Sequence, residues 1–434
     1  MRVLVVTESF LPTVNGVTTS VCKVLEHLAA RGHDAHVMVP SCGAPATYAG
    51  FPVSEIPAIP YRQFPVGLPG LHVQRIMEEF APDVVHVASP FLLGAEAIAA
   101  SRRLGIPTVA IFQTDVAGYA RRNRLSAIQP LAWKMVRRIH RDATLTLVPS
   151  SATMKDLRGA GLKRLKLWGR GVDAETYHPR NRQTAATREL HASLSPNEEV
   201  VVGYVGRIAP EKQLENMAGL RGVPGIRIAI VGDGPGLPFI QKKLSGMPVT
   251  YLGQLRGEAL ATAYASFDIF LHTGEEETFG QTVQEAHASG LPVVAPRAGG
   301  PIDLVTPGTN GFLYAPGDTR ELRRSVELLA RDPAMRRRMG EAGRRTVIGR
   351  TWQSIGDQLI GHYAKVVARQ ALVSERAFFK GTSVKRTGVK DTSVKGTGVK
   401  GSGAKLPGQR GQAPRAQNPA RALLAGAVRQ RKLS

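Results

Sequence analysis

The sequence predicts an α/β protein in which two doubly wound, parallel-sheet domains face a cleft, followed by a basic tail that has no core. Three observations lead there. Short apolar runs of strand type alternate with helical patterns in two successive series, and such alternation builds right-handed βαβ units on parallel sheets. The chain has 434 residues, more than one ordinary core accommodates. Its 43% hydrophobic content makes most of it globular. From residue 381, however, it runs "GTSVK RTGVK DTSVK GTGVK GSGAK", a five-residue repeat without aromatics that cannot bury a core and is too short for a solenoid unit.

The first series opens with "RVLVV" (2–6), a short buried strand. The polar loop "TESFLPTVNG" leads from it into a helix over 17–32, where Gly32 supplies the C-terminal stop. Strands follow at 34–40, 83–89, 107–115 and 143–150, with helical segments between. The first domain is set at 1–179. Residues 180–199 are polar, contain no strand and read as a linker. The pattern restarts with strands at 200–207, 226–234, 249–253, 267–273 and 291–296, giving a second domain over 200–351. "WQSIGDQLIGHYAKVVARQ" (352–370) has apolar residues at helical spacing and is expected to end the folded part by crossing back to the first domain. A disordered tail is expected over 371–434.

The net charge is +23, of which +12 falls after residue 369, where 14 Lys and Arg face 2 Asp and Glu. The remaining body is still basic, which suits phosphate-bearing ligands or an anionic surface. Cys22 and Cys42 fit no metal spacing and no disulfide framework, so a reduced, intracellular setting is expected. The N-terminus starts as a strand, without the charged and apolar regions of a signal peptide, and no apolar run is long enough to span a membrane.

Ligands of parallel α/β sheets bind off the carboxyl ends of the strands, and three loops there carry chemistry. In "TVNGV" (13–17), Asn15-Gly16 opens a helix whose free N–H groups and dipole favour phosphate; an ordinary turn and cap reads equally well. In "GRIAPEK" (206–212), Arg207 and Lys212 flank a turn and can clamp a diphosphate, the guanidinium as a fork and the ammonium as a point charge; otherwise they are two solvated cations. In "EETFGQTVQEAHASG" (276–290), Glu277 precedes a helix that carries Glu285. Eight residues of helix span at most about 12 Å, a fitting separation for two carboxylates that grip hydroxyls of one extended ligand. The amides of Phe279, Gly280 and Gln281 add donors at the helix start. Dipole compensation at Glu277 and a solvated helix acid at Glu285 are the plainer alternatives.

Other classes fit less well. "VGDGPG" (231–236) begins like a dinucleotide fingerprint, but its sixth position continues to Leu237 and no acid ends the next strand near residue 252. No Walker loop, HExxH, Asp-x-Asp or zinc-type cysteine pair occurs, and His86, His272 and His287 are scattered, so a metal-independent reaction is expected. No aromatic-basic platform supports nucleic-acid binding. "YARRNRLSAIQPLAWKMVRRIHRD" (119–142) is different: seven Lys and Arg, among them Arg121, Arg122, Arg124, Arg137 and Arg138, interleave with Trp133 and other apolar residues. Such a stretch can lie on anionic lipid, or pack as a helix with a solvated basic face.

"GRIAPEK", the E-x7-E of "EETFGQTVQEA", and "ASGLPVVAPRAGGPIDLV", with "SFLPTVNGV" and "WGRGVDAETYHP", together resemble the retaining family-4 glycosyltransferases of the GT-B fold over residues 1–370. "LHTGEEETFGQTVQEAHASG" and "FQTDVAGYARR" most resemble actinobacterial GDP-mannose-dependent α-mannosyltransferases of glycolipid and lipoglycan assembly. The resemblance implies two Rossmann-like domains, an acceptor-binding one and a donor-binding one. It implies that Gly16 approaches the donor diphosphate, with Arg207 and Lys212 holding it from the other side. Glu277 would bind the transferred sugar and Glu285 the ribose, while Gly232, Asp233 and Leu252 flank the base. Asp115 stands where many relatives have His, near the sugar 6-hydroxyl and acceptor. The implied donor is GDP-mannose, with no cofactor or metal, a lipid or lipoglycan acceptor, and a site of action at the inner face of the plasma membrane. A UDP-sugar enzyme with a soluble acceptor, or a non-catalytic sugar-nucleotide or lipid binder, are the alternatives.

Overall fold

The computed structural model describes residues 1–13, 15–61, 64–67, 70–113 and 129–384. Residues 1–378 pack as one compact unit that contains two sheets; residues 379–434 form a separate unit, described only to Val384.

The first sheet is built from β1 (Arg2–Val6), β2 (Asp34–Pro40), β3 (Thr47–Tyr48) and β4 (Phe51–Ile56). A small hairpin, β5 (Ala58–Tyr61) and β6 (Phe64–Gly67), stands apart before the chain returns through β7 (Val84–Val87), β8 (Thr108–Ile111), β9 (Leu145–Val148) and β10 (Leu165–Leu167). The order is β10-β9-β8-β7-β1-β2-β4-β3, all parallel except β3 on β4. The second sheet takes β11 (Val200–Val205), β12 (Ile226–Val231), β13 (Val249–Gly253), β14 (Ile269–Leu271), β15 (Val293–Pro296) and β16 (Gly311–Tyr314), ordered β13-β12-β11-β14-β15-β16 and parallel throughout. Central strands such as Val3–Val6 are buried on both faces, the condition helices on both sides of a sheet impose.

The covering helices of the first half are α1 (Gly16–Ala30), α2 (Leu71–Phe80), α3 (Leu92–Leu104), α4 (Gln129–Asp142) and α5 (Ser151–Gly159). Those that follow are α6 (Ala185–Leu194), α7 (Leu237–Lys243), α8 (Gly257–Ala265), α9 (Gln281–Ala288), α10 (Pro301–Leu304), α11 (Thr319–Arg331), α12 (Pro333–Val347) and α13 (Trp352–Val384).

Two expected boundaries move. The span 180–199, expected as a linker, forms a 3-10 turn and then α6, started by Thr184, whose hydroxyl accepts from the Thr187 amide. Leu190 and Leu194 join the core of the second sheet, so the polar residues are the outer face of a packed helix. The final helix also runs past the expected end at 370, to Val384. Its Ile355, Leu359, Tyr363 and Val366 pack with Val3, Val5 and Leu25 in the core of the first sheet. Asp357 binds Arg31 bidentately and His27 at 2.9 Å, fixing α13 on α1. The repeat beyond Val384 lies outside the described residues.

Candidate functional site

Loops at the carboxyl ends of both sheets meet between the two halves of the compact unit. On the second sheet, three loops interlock through glycines. Gly206, after β11, Gly232, after β12, and Gly234 all have positive φ, and a Cβ on Gly232 or Gly234 would strike the carbonyls of Gly206 or Ile208. The Ile208 amide donates to the Asp233 carbonyl (2.8 Å), and the Gly232 amide to the Gly253 carbonyl (2.7 Å). Gly232 and Asp233 are thereby held beside the 206–212 loop, with Leu252 half-buried on the next strand. Only glycine tolerates so close a backbone approach.

The 206–212 loop places its two cations differently. Arg207 is exposed, its nearest carboxylate Glu211 at 3.8 Å. Lys212, at the end of a 3-10 turn, points inward and donates to Glu277 Oε2 at 2.6 Å. Glu277 also accepts from the Gly280 amide at 3.2 Å and, more weakly, from Phe279 at 3.5 Å. Burial by itself would push the Glu277 carboxyl up, but the Lys212 ammonium, His272 and these donors bring it down to about 2. The loop is braced from behind: the Gly300 amide donates to the Glu277 carbonyl at 2.7 Å, and side chains at Gly299 or Gly300 would collide with the 277–279 backbone.

Gly280, with φ +93°, starts α9. Phe279 is buried, its ring against Gly169. Gln281 reaches the Gly171 carbonyl (3.2 Å) and Glu285 Oε1 (3.3 Å), and the Tyr264 hydroxyl donates to Glu285 Oε2 at 2.9 Å. Glu285 is therefore not the solvated helix acid of the plainer reading. Burial raises its carboxyl to about 7 despite those two hydrogen bonds.

From the first sheet comes Gly16, the first residue of α1, beside the Asn15 cap that accepts from the amides of Val17 and Thr18. A Cβ on Gly16 would lie 3.0 Å from Nη1 of Arg170. Arg170 belongs to the "WGRGVD" segment, and nothing in the sequence gave it a role. Its Nη2 donates to Gln113 Oε1 at 2.8 Å, its carbonyl accepts from Gln284 at 3.0 Å, and it feels the charge of Glu277. Glu8, after β1, is a second residue the sequence did not single out. It accepts from the Gly94 amide at 3.1 Å, its second oxygen is buried without a partner among the described residues, and burial raises it to about 7. Nothing local distinguishes either residue, since each acquires its setting from distant loops.

Asp115, Arg121, Arg122 and Arg124 lie outside the described residues. Arg137 and Arg138 are exposed on α4, in line with Lys134 and Arg141. Trp133, Met135, Val136 and Ile139 pack into the protein. The described part of the 119–142 stretch is thus the packed helix with a solvated basic face; its apolar side is already spent on the core.

Two family models match in tandem, Glycosyltransferase Family 4 over residues 14–176 and Glycosyl transferases group 1 over 186–346. The chain is 44% identical over 379 residues to a GDP-mannose-dependent alpha-mannosyltransferase of Mycobacterium tuberculosis, covering 85% of this chain and 98% of that protein. A protein of the same description from Corynebacterium glutamicum is 42% identical over 376 residues, with 85% and 90% covered. The chain belongs to the family-4 glycosyltransferases. Its fold is GT-B: the crystal structure of Anabaena HepE in complex with UDP superimposes with a TM-score of 0.70 over 84% of this chain and 100% of that one, at 21% identity.

Among the described residues of this glycosyltransferase, no group of three or more His, Cys, Asp or Glu side chains could hold a metal ion. No described helix is long and apolar enough to cross a membrane. His86, His272 and His287 are buried apart from one another's sites, and burial lowers all three, His86 to about 3 and the other two to about 4.

Proposed function

We propose that this glycosyltransferase moves a mannosyl group from GDP-mannose to a lipid or lipoglycan acceptor with retention of configuration and without a metal. The donor assignment takes its support from identity above 40% over most of the chain to proteins so described. One observation carries the chemistry: the Lys212–Glu277 pair at the head of α9, with Glu285 eight residues on, and the Glu277 charge reaching Arg170, which lies against Gly16.

In this reading Lys212 and Arg207 hold the diphosphate and stabilise the charge that develops on it, the contribution that usually dominates such catalysis. Glu277 and the amides of Phe279, Gly280 and Gln281 grip the sugar, and Glu285 the ribose. Gly232, Asp233 and Leu252 border the base, and Gly16 lets the α1 backbone approach the phosphates. In this reading no side chain need act as a general base. The bond from the anomeric carbon to the phosphate oxygen breaks as the acceptor hydroxyl attacks the same face, and its proton passes to the leaving phosphate. Asp115 would stand near the sugar 6-hydroxyl and the acceptor. The exposed cations of α4 support a peripheral position on the anionic inner face of the plasma membrane, through charge rather than insertion.

The test is turnover of GDP-mannose against UDP-glucose with a membrane extract as acceptor source, products read by mass spectrometry. Mannosyl transfer from GDP-mannose is expected. Preference for the UDP-sugar overturns the donor assignment, and donor binding without transfer or hydrolysis overturns the enzyme's proposed reaction.

A further inference from the structure

Arg170 occupies an unfavourable place. It is half-buried, under the first turn of α1, where the helix dipole repels a cation. No carboxylate pairs with it among the described residues: its guanidinium bonds the neutral amide of Gln113, and the acid whose field reaches it, Glu277, is already committed to Lys212 at 2.6 Å. Burial lowers its pKa, so the site resists the charge it holds. Yet the side chain is held there with care. Gln113 donates in turn to the Ala88 carbonyl at 3.0 Å, tying the guanidinium to the ends of β7 and β8. The Arg170 backbone is held from the other half by Gln284. The missing Cβ of Gly16 gives Nη1 its space. A half-buried cation, held at a helix start by neutral partners among the described residues, is complementary to an anionic ligand.

We propose that Arg170 is a third cation on the donor diphosphate, contacting it from the α1 side while Lys212 and Arg207 hold it from the second sheet, with Gln113 as its positioning residue. The proposal rests on the reading of this cleft as a nucleotide-sugar site. Bound diphosphate would place negative charge beside both the α1 N-terminus and the guanidinium, offsetting their repulsion. It would also couple binding to the meeting of the two halves, because Arg170 is fixed to both. The planar fork suits two phosphate oxygens at once, which an ammonium at the same place does not.

The experiment is calorimetric titration of the full chain and its Arg170→Gln and Arg170→Lys variants with guanosine, GMP and GDP. Arg170→Gln is expected to weaken GDP by about 10- to 100-fold, the loss of one or two charge-assisted hydrogen bonds. GMP should weaken less and guanosine not at all. Arg170→Lys should fall between, and if Arg170→Gln does not fold, the lysine variant carries the test with the same diphosphate-selective pattern. Equal weakening of guanosine and GDP, or unchanged GDP affinity, overturns the role of Arg170. A wild-type chain that binds UDP and not GDP moves the donor assignment, and the uridine series then tests Arg170 in the same way. A wild-type chain that binds neither nucleotide overturns the reading of the cleft, and the proposal with it.

Discussion

The two walls of the cleft are prepared in opposite ways. On the second-sheet wall, both glutamates have donors before any ligand arrives: Lys212 meets Glu277 at 2.6 Å, and Glu285 accepts from Tyr264 and Gln281. On the first-sheet wall, among the described residues, half-buried Arg170 has a neutral side-chain partner and Glu8 keeps an unpartnered oxygen. In the proposed reading, one wall is a preorganised grip and the other a surface whose electrostatics are completed by what binds there. Groups that must be well placed at the reacting carbon gain by being held in position before the donor binds, while charge left uncompensated opposite them favours closure on the correct anion.

Breaking the preorganised wall should cost most. Lys212→Ala leaves the Glu277 carboxylate buried without its cation, an arrangement that typically costs about 3–5 kcal/mol. In the proposed reading it also removes a charge from the diphosphate, so transfer should fall by about 100- to 1,000-fold. Steady-state rates alongside thermal melts separate the two losses, and a near-normal rate would remove Lys212 from the site. Acid has a related effect. The Glu277 carboxyl lies below its ordinary value in the folded chain, so its contribution to stability is present above pH 4.5 and is lost as pH falls toward about 2. Glu277→Gln should flatten that part of the acid-denaturation profile.

Glu285 sharpens the comparison because it is raised, not lowered. Its folded carboxyl titrates at about 7, so its protonation stabilises the fold below about pH 4.5 and that benefit is lost as pH rises from there through 7. A carboxylate accepts hydroxyl hydrogens better than the neutral acid does. Donor affinity should therefore drop several-fold between pH 8 and pH 6, about the effect of one charge-assisted hydrogen bond. Glu285→Gln should bind weakly with no such slope; an unchanged slope would exclude Glu285 as its source.

A smaller effect is expected where the walls touch. Asp303, on α10, accepts from the Ser151 amide at 2.6 Å and from the Ser151 hydroxyl, adding to the Ser150 cap an acceptor for the first amide of α5 in the other half. Asp303→Ala should lower stability by about 1 kcal/mol, as loss of a cap does, seen as a modest fall in melting temperature with donor affinity little changed. The smallest change in the fold belongs to the double substitution Arg137→Glu and Arg138→Glu. Both side chains are exposed, so melting should not move, while binding to vesicles rich in anionic lipid should weaken by about 1 kcal/mol per lost charge. Unchanged vesicle binding would show that the α4 face is merely solvated.

Much of this was legible in the residues. Buried strands such as 2–6 and 200–205 declared themselves through apolar runs, and their parallel pairing followed from the helices between the strands. Strands at and next to the sheet margins did not: Phe51–Ile56 carries a proline, Gly311–Tyr314 is a short edge strand that opens on glycine, and neither has a periodicity to read. The helix over Ala185–Leu194 was hidden because only one narrow side of it is buried.

The motifs determined which loops matter, since Asn15-Gly16, "GRIAPEK" and the glutamates at 277 and 285 each follow a strand of an α/β pattern. Only the tertiary structure decided their pairing: that Lys212 and not Arg207 takes Glu277, that Glu285 lies under Tyr264, that the apolar side of α4 faces inward, and that Arg170 sits beneath Gly16. The physical reason is one of range. Strand and helix patterns are local and repeat along the chain, whereas the charge state and partners of a site residue depend on atoms up to about 150 positions away, brought near only when both sheets have formed.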